Sequence, residues 1–404
     1  MSRRVYVHIG LPKTGTTYLQ RTLWDSRAAL AERGVLLPGA SRRAQRLAVW
    51  DLLGRRLRNV RQAEVPGAWQ AVVEQARDWP GEQALLSEEF LVNARPRHVR
   101  RIVAAFDDAE VHVVVTVRDL ARVVASMWQQ EVVKSRTWRL ADYVAAVRDP
   151  EHGPPSAGVS FWLRYDLPRI LTTWEPFVAP ERIHVVLVPP ADAPPTLLLE
   201  RFAAAVGIDP AVLTPAPPET NASLGVAETE VLRRVNECLV NLNERQYRRV
   251  VDKVVLPVLG GRSWTPRIGL PPGEWEWLDS RAAEQVEFLA ASRYHVVGDL
   301  TDLRPPAPPA PGHDGDVPDA ELLEIAVAAL AATAEHYARL WSRTRRAARR
   351  ATSNPVTRLS SARRAADYRV KSQLLHRADR NRLLATVVRA YLRRTAASAR
   401  RARP

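Results

Sequence analysis

The residues best suited to chemistry in this sequence lie in an early loop, HIGLPKTGTT, at positions 8–17. Gly10 and Gly15 have the G-x-x-x-x-G spacing of loops that bind nucleotide phosphates through backbone N–H groups. The lysine that normally follows the second glycine is missing, and Lys13 lies inside the loop instead. A loop of this kind that leads into a helix binds anions, because unpaired N–H groups and the helix dipole both favour negative charge. The pattern predicts an anion site beside a lysine.

Residues around this loop also indicate which anion it would bind. Nucleoside triphosphatases need a Ser or Thr after the lysine to hold Mg²⁺, and an acidic residue that closes a second strand. Here the lysine is displaced, and the strand-like run VHVVVTV leads into Arg118 before Asp119. The site offers positive charge where a kinase would hold a metal. This favours the transfer of a less highly charged group without a metal ion.

The elements that must position these residues follow from the hydrophobic pattern. Strands are predicted for apolar runs at residues 5–9, 84–87, 111–117 and 183–188, and helices for amphipathic runs at 16–33, 120–133 and 167–174. Strands that alternate with helices indicate a parallel sheet covered on both faces, and ligands bind at the carboxyl ends of such strands. The predicted fold is α/β, a three-layer P-loop-like core with a helical C-terminal extension.

The rest of the chain divides by composition. Residues 1–303 form the predicted main domain, with residues 221–303 mostly helical. Residues 304–319 are rich in Pro and Gly, which predicts a linker. A helix is predicted next, over 320–350, and a basic tail over 351–404. In the tail, apolar pairs alternate with arginines, which is typical of a basic amphipathic helix.

The net charge of +15 is located almost entirely at the C-terminal end. Residues 341–404 contain 19 of the 59 Lys and Arg residues but only two of the 44 acidic ones, so the remainder is nearly neutral. We consider three roles for the tail: binding an anionic membrane surface, gathering a polyanion, or packing as a solvated appendage. The polyanion could be a substrate or a nucleic acid; any argument from charge to nucleic acid concerns the tail alone, and nucleic acid is not the expected partner.

Other features bound the compartment. The single cysteine, Cys238, excludes an internal disulfide and is expected to be a small buried residue. The sequence contains no apolar run of about 18 residues, so no membrane-spanning helix is expected. We expect a cytoplasmic protein, with peripheral association at the inner membrane surface as a hypothesis for the tail.

Two motifs together resemble a known family. HIGLPKTGTTYLQ resembles the 5′-phosphosulfate loop of sulfotransferases that use 3′-phosphoadenosine 5′-phosphosulfate (PAPS). VVVTVRDLARVVASMW resembles their 3′-phosphate segment, in which a strand ends in Arg and a Ser follows eight residues later, as Arg118 and Ser126 do. The resemblance covers residues 3–303. It implies sulfuryl transfer from PAPS, without a metal, to an acceptor hydroxyl or amine of a carbohydrate, glycolipid or small metabolite.

The resemblance also implies roles for single residues. Lys13 would contact the bridging oxygen and the sulfuryl group, while Arg118 and Ser126 would hold the 3′-phosphate. The 5′-phosphate would lie in a cradle made by Thr14, Gly15, Thr16 and Thr17.

A general base is needed because the acceptor hydroxyl must lose its proton as it attacks sulfur. The run LLSEEFL places Glu88 and Glu89 at the end of the second predicted strand, where the resembled family uses His or Glu. Adjacent side chains at a strand end point in opposite directions, so one of the two is expected to face the cofactor. We favour Glu89 over Glu88, with two solvated carboxylates as the alternative. His8, in a buried strand, is expected to be a core histidine.

Two alternatives to a sulfotransferase stay open. The first is a P-loop kinase or NTPase. The second is a non-catalytic nucleotide-fold protein whose tail binds membrane or nucleic acid.

Overall fold

A parallel β-sheet forms the centre of the molecule. The computed structural model describes residues 3–54, 65–154, 156–217, 224–260, 268–308 and 317–352, without the side chains of 346–352. In these residues the strands are β1 (Arg3–His8), β2 (Val35–Leu36), β3 (Gln83–Ser87), β4 (Ala109–Val117), β5 (Ile183–Leu187) and β6 (His295–Val297). They form one sheet in the order β2-β3-β1-β4-β5-β6, and every adjacent pair is parallel. The predicted α/β class is confirmed, and the sequence prediction missed the short strands β2 and β6.

Helices connect the strands and extend the chain beyond the sheet. Those of the first half are α1 (Thr16–Asp25), α2 (Arg27–Glu32), α3 (Arg42–Leu52), α4 (Ala68–Arg77), α5 (Pro96–Ala105), α6 (Leu120–Val133), α7 (Leu140–Arg148), α8 (Gly158–Tyr165) and α9 (Leu167–Thr172). Those of the second half are α10 (Leu197–Val206), α11 (Val226–Cys238), α12 (Glu244–Val250), α13 (Leu256–Leu259), α14 (Trp275–Ala291) and α15 (Asp319–Thr352). No helix in the described part of the chain is both long and apolar enough to cross a membrane.

Both faces of the sheet are buried, because neighbouring residues of a strand point to opposite sides. On β1, Val5 and Val7 belong to a core that includes residues of α3 to α9. Tyr6 belongs to the other core, with Leu19 of α1 and Phe202 of α10. Helices therefore cover both faces, as the predicted three-layer arrangement requires.

The order of the strands creates a crevice at one edge of the sheet. The connection from β1 runs through α1 and α2 to β2 on one side, and the connection from β4 runs to β5 on the other. Open α/β sheets bind ligands where adjacent strands diverge in this way, outside their carboxyl ends. The loop after β1 and the residues after β4 lie at this point.

Two local predictions were wrong. The helix predicted for residues 16–33 is broken at Ser26, whose buried hydroxyl accepts a hydrogen bond from the Thr214 backbone N–H at 2.8 Å. A serine side chain that hydrogen-bonds to a backbone group competes with the formation of a continuous helix. Cys238 is exposed rather than buried, because it ends α11 beyond the last buried residue of that helix, Asn236.

The predicted linker, helix and tail at the C-terminal end can be compared with the structure only in part. Helix α15 matches the helix predicted for residues 320–350. Residues 309–316 of the predicted linker and residues 353–404 of the tail lie outside the described residues. The contacts divide the chain into two units, residues 1–332 and residues 333–404. The first contains the sheet, and the described part of the second is the latter portion of α15.

Candidate functional site

The loop between β1 and α1 follows a path that few residue types adopt. Gly10 has a φ of 102°, Lys13 of 63° and Gly15 of 85°. Glycine adopts positive φ freely, because it has no Cβ to clash with the backbone. A Cβ on Gly15 would also clash with Cδ2 of Leu198. Lys13 has a Cβ, and such non-glycine residues at positive φ cluster at functional sites.

Contacts from two other elements hold the loop in this path. The Leu11 N–H donates to the Thr116 carbonyl at 2.9 Å, and the Thr116 N–H donates to the Gly10 carbonyl at 2.6 Å. These bonds continue the pairing of β1 with β4 beyond the end of β1. From α8, the Tyr165 hydroxyl donates to the Pro12 carbonyl at 2.9 Å. The loop is therefore fixed on both sides before any ligand arrives.

A buried polar network lies beneath the loop. The Thr14 hydroxyl donates to the Leu11 carbonyl at 2.6 Å and lies 2.5 Å from the Thr116 hydroxyl. His8 joins the network through Thr116 at 3.4 Å and through the Ser87 hydroxyl at 2.7 Å. Burial lowers the pKa of His8 to about 3, so the ring is neutral. His8 is the core histidine that the sequence predicts, and the Thr14 side chain supports the loop from inside.

Glu89 lies directly against the loop. Its Cβ would be 3.3 Å from a Cβ on Gly10, and its Oε2 accepts a hydrogen bond from the Thr16 hydroxyl at 2.7 Å. Thr16 is the first residue of α1, so the carboxylate lies at the N-terminus of that helix, where negative charge is favoured. Thr17, the residue after Thr16, is exposed.

Glu88 lies in a different environment from Glu89. Its carboxylate is buried and accepts a hydrogen bond from Nε of Arg46, on α3, at 3.2 Å. Among the described residues its second oxygen, Oε1, has no hydrogen-bond partner. Burial raises the pKa of Glu88, and the attraction of Arg46 offsets this only in part. Of the two glutamates, the one that contacts the loop is therefore Glu89.

The second motif reaches the same loop. Arg118 follows the last residue of β4, and its Nη1 donates to the Lys13 carbonyl at 3.3 Å. The next residue, Asp119, caps α6 by accepting a hydrogen bond from the Arg122 N–H at 2.8 Å. This cap fixes where the chain turns from strand to helix, and so holds the start of the Arg118 side chain. The two motifs, 105 residues apart in sequence, meet at the carboxyl edge of the sheet.

Ser126 lies on α6 and is partly exposed. It is seven residues from Asp119 and four from Arg122, so the three share one face of the helix. Seven residues correspond to about 10 Å along the helix axis. The role of Ser126 in holding a phosphate, like the roles of the other site residues, stays a prediction.

A cavity of about 460 Å³ adjoins the end of β4. Its lining includes Asp119, Arg122, Pro190, Asp192, Thr301 and Arg304, which follow the carboxyl ends of β4, β5 and β6. This volume is within the range of small-molecule sites. A smaller cavity of about 200 Å³, lined by residues such as Arg4, Gln83 and Gly207, lies at the opposite edge of the sheet, away from the loop.

Comparison with known proteins adds little to this geometry. No protein-family model matches the chain, and no curated protein matches it. Among solved structures, a sulfotransferase from Alicyclobacillus acidocaldarius aligns with 62% of this chain and 100% of its own, at 15% identity and a TM-score of 0.35. A likeness at this level carries no argument about function, which must be inferred from the site itself.

Proposed function

We propose that the protein transfers a sulfuryl group from PAPS to an acceptor hydroxyl or amine, leaving adenosine 3′,5′-bisphosphate (PAP). The observation that carries this proposal is the contact of Arg118 with the backbone of Lys13 at the sheet crevice. It supports one anion-binding region built from both motifs, as a donor with phosphates at two positions requires. The acceptor class remains open among carbohydrates, glycolipids and small metabolites.

The residues at this edge have a chemistry that fits such a donor. The loop enters α1 at Gly15, so backbone N–H groups at the start of the helix suit the 5′-phosphate. We assign this phosphate to Thr14, Gly15, Thr16 and Thr17. Arg118 and Ser126 are assigned to the 3′-phosphate, since a guanidinium forms charge-assisted hydrogen bonds with phosphate oxygens. The hydroxyls of Thr14 and Thr16 already have protein partners, so backbone N–H groups would do most of the binding there.

The proposed reaction needs one proton acceptor and one cation. The acceptor oxygen attacks sulfur and forms a new S–O bond, while the bond between sulfur and the bridging oxygen breaks. Lys13 neutralises the charge that develops on the departing phosphate. Glu89 takes the proton of the acceptor hydroxyl. The hydrogen bond from Thr16 fixes Oε2 and so orients the carboxylate beside the loop.

Calorimetric titration with PAP, and separately with ATP and Mg²⁺, tests the donor assignment. We expect PAP to bind without metal, and Arg118→Ala to weaken it by about 1.5–3 kcal/mol, roughly 10- to 150-fold in Kd. Arg293→Ala is the matched control, because Arg293 is highly exposed and pairs with Glu181 at the surface.

Other results would favour the alternatives. Binding of ATP with Mg²⁺ but not of PAP would support a kinase or NTPase. Binding of PAP without turnover of PAPS over a panel of phenols, sugars, lipids and amines would support a non-catalytic protein. Binding of the tail to an anionic membrane is a separate prediction, and unchanged liposome binding after deletion of residues 351–404 would contradict it.

A further inference from the structure

Helix α15 carries a row of large apolar side chains on its exposed surface. Leu323, Val327, Leu330, Tyr337 and Trp341 are each at least half exposed. Their spacings are four, three, seven and four residues, and Ala334 divides the seven into four and three. This alternation of three and four is the seven-residue repeat of a coiled-coil seam. In coiled coils a seam of this kind packs against a second helix.

The seam is distinct from the face by which α15 joins the main core. Leu322 and Ile325 are almost fully buried and belong to that core. Leu322 is five residues before Val327 and Ile325 is five before Leu330, so the members of each pair are about 140° apart around the helix. The exposed row is therefore a second apolar face rather than the edge of the first.

We propose that this seam pairs with the same seam of a second copy of the chain, in antiparallel orientation about a two-fold axis. The charge along α15 supports this partner and this direction. Glu321 and Glu324 lie in its first turns, whereas Arg343 and Arg345 lie well after them. Asp319 and Arg339 already pair with Arg234 and Glu335 of the same chain. Antiparallel pairing brings the acidic end of each helix to the basic part of the other, and parallel pairing would bring like charges together.

The antiparallel register also matches side chains across the seam. When Ala334 lies opposite Tyr337 of the second copy, Leu330 lies opposite Trp341 and Val327 lies opposite Thr344. A small residue therefore meets a large one at the centre, and the layers on either side are filled. Beside the seam, Glu324 comes opposite Arg345 of the second copy. The matched layers run from Val327 to Thr344, which is about two and a half heptads, and Leu323 extends the apolar row by one further turn.

A second copy suits this surface better than a lipid bilayer does. An anionic membrane would repel Glu321 and Glu324, which lie within or beside the apolar row. In the antiparallel pair, Glu324 instead comes opposite Arg345 of the second copy. Dimerisation does not depend on the proposed sulfuryl transfer, so either inference can fail alone.

The first test is the oligomeric state of the full chain by analytical ultracentrifugation. We expect a concentration-dependent dimer, and at least a tenfold weaker dimer for Val327→Glu combined with Leu330→Glu. The matched control is Val240→Glu, since Val240 is 77% exposed and lies outside α15. Circular dichroism would show whether each variant is folded. A full chain that is monomeric at all concentrations would overturn the proposal, including when it binds vesicles of phosphatidylglycerol instead.

The second test fixes the direction by disulfide cross-linking in a Cys238→Ser background. Val327→Cys and Thr344→Cys chains should cross-link when mixed and oxidised, and neither should do so alone. In the antiparallel pair, two copies of residue 327 are about 25 Å apart along the axis. Cross-linking of Val327→Cys chains with one another would indicate parallel pairing and overturn the proposed arrangement. Absence of a cross-link in the mixture would also overturn it.

Discussion

The two edges of the sheet hold polar residues in opposite ways. At the carboxyl edge, the loop backbone at positive φ, the Glu89 carboxylate and Arg118 gather around the start of a helix. Near the amino edge, three histidines on neighbouring strands bond to one another. Nδ1 of His112 lies 2.9 Å from Nε2 of His184, whose Nδ1 lies 2.8 Å from Nδ1 of His295. The carboxyl edge has the polar groups that an anionic ligand would need, whereas at the amino edge these three histidines bond to one another.

Two histidines of this row, His112 and His184, have a lowered pKa. Burial, with a smaller contribution from His112 and His295, lowers the pKa of His184 to about 4. Burial also lowers the pKa of His112, with Arg182 adding to the effect and Glu110 opposing it. A neutral imidazole has one donor and one acceptor nitrogen, so His184 can give one hydrogen bond and accept the other. The comparison predicts that changes at the carboxyl edge affect activity, whereas changes at the amino edge affect stability.

The largest expected effect is at Glu89. Glu89→Gln should lower kcat by about 10²- to 10⁴-fold, because a neutral amide cannot take the acceptor proton. The substitution keeps an oxygen for the Thr16 hydrogen bond, so the free energy of unfolding should change little. The measurement is PAPS turnover with an acceptor found by panel screening, together with urea unfolding.

Glu88→Gln is the matched control for this comparison. Glu88 is adjacent in sequence and similar in chemistry, but its carboxylate bonds to Arg46 on α3. We expect its kcat to stay within a few-fold of the unsubstituted protein. A larger loss of kcat for Glu88→Gln than for Glu89→Gln would assign the base to Glu88.

The next effect is the pH dependence of stability at the amino edge. The pKa of His184 is about 4 in the folded chain and about 6.5 in the unfolded chain. Between these pH values the unfolded state therefore binds more protons than the folded state. This contribution to stability is complete above pH 6.5 and is lost as pH falls towards 4. At about 1.4 kcal/mol per pKa unit, the loss is at most about 3.5 kcal/mol.

Urea unfolding at pH 7.5, 6 and 5 measures this loss. His184→Gln should flatten the dependence on pH, because glutamine keeps a donor and an acceptor but does not titrate. His152→Gln is the control, since His152 is an exposed residue that pairs with Asp149. An unchanged slope for His184→Gln would mean that the row contributes nothing to acid sensitivity.

The smallest expected effect concerns the support of the loop by α8. Tyr165→Phe removes the hydrogen bond to the Pro12 carbonyl and should cost about 0.5–1.5 kcal/mol of folding free energy. Binding of PAP should weaken by less than tenfold, because the bonds to β4 remain. Calorimetry and urea unfolding measure both quantities. No change in either quantity would show that β4 alone fixes the loop.

The sequence by itself determined the class of fold and the residues of the loop. Apolar runs long enough for buried strands, alternating with amphipathic helices, restrict the chain to a parallel sheet with two covered faces. Gly10, Lys13 and Gly15 lie within one short loop, so they are close in space whatever the rest of the chain does. The anion site could therefore be predicted from their types and spacing. The short strands β2 and β6 gave no comparable signal, because two or three residues show no periodicity.

Only the tertiary structure decided which distant residues meet. The contact of Arg118 with the loop spans 105 residues, and no spacing rule predicts it without a resemblance. The different environments of Glu88 and Glu89 depend on Arg46 of α3, which bonds to Glu88. The loop is also supported by Tyr165, which comes from α8. Thr116 was a polar residue in an apolar strand, a signal that could have been noticed, but its partners His8 and Thr14 come from β1 and the loop. Local rules act over a few residues, whereas these contacts follow from the order in which the strands pair.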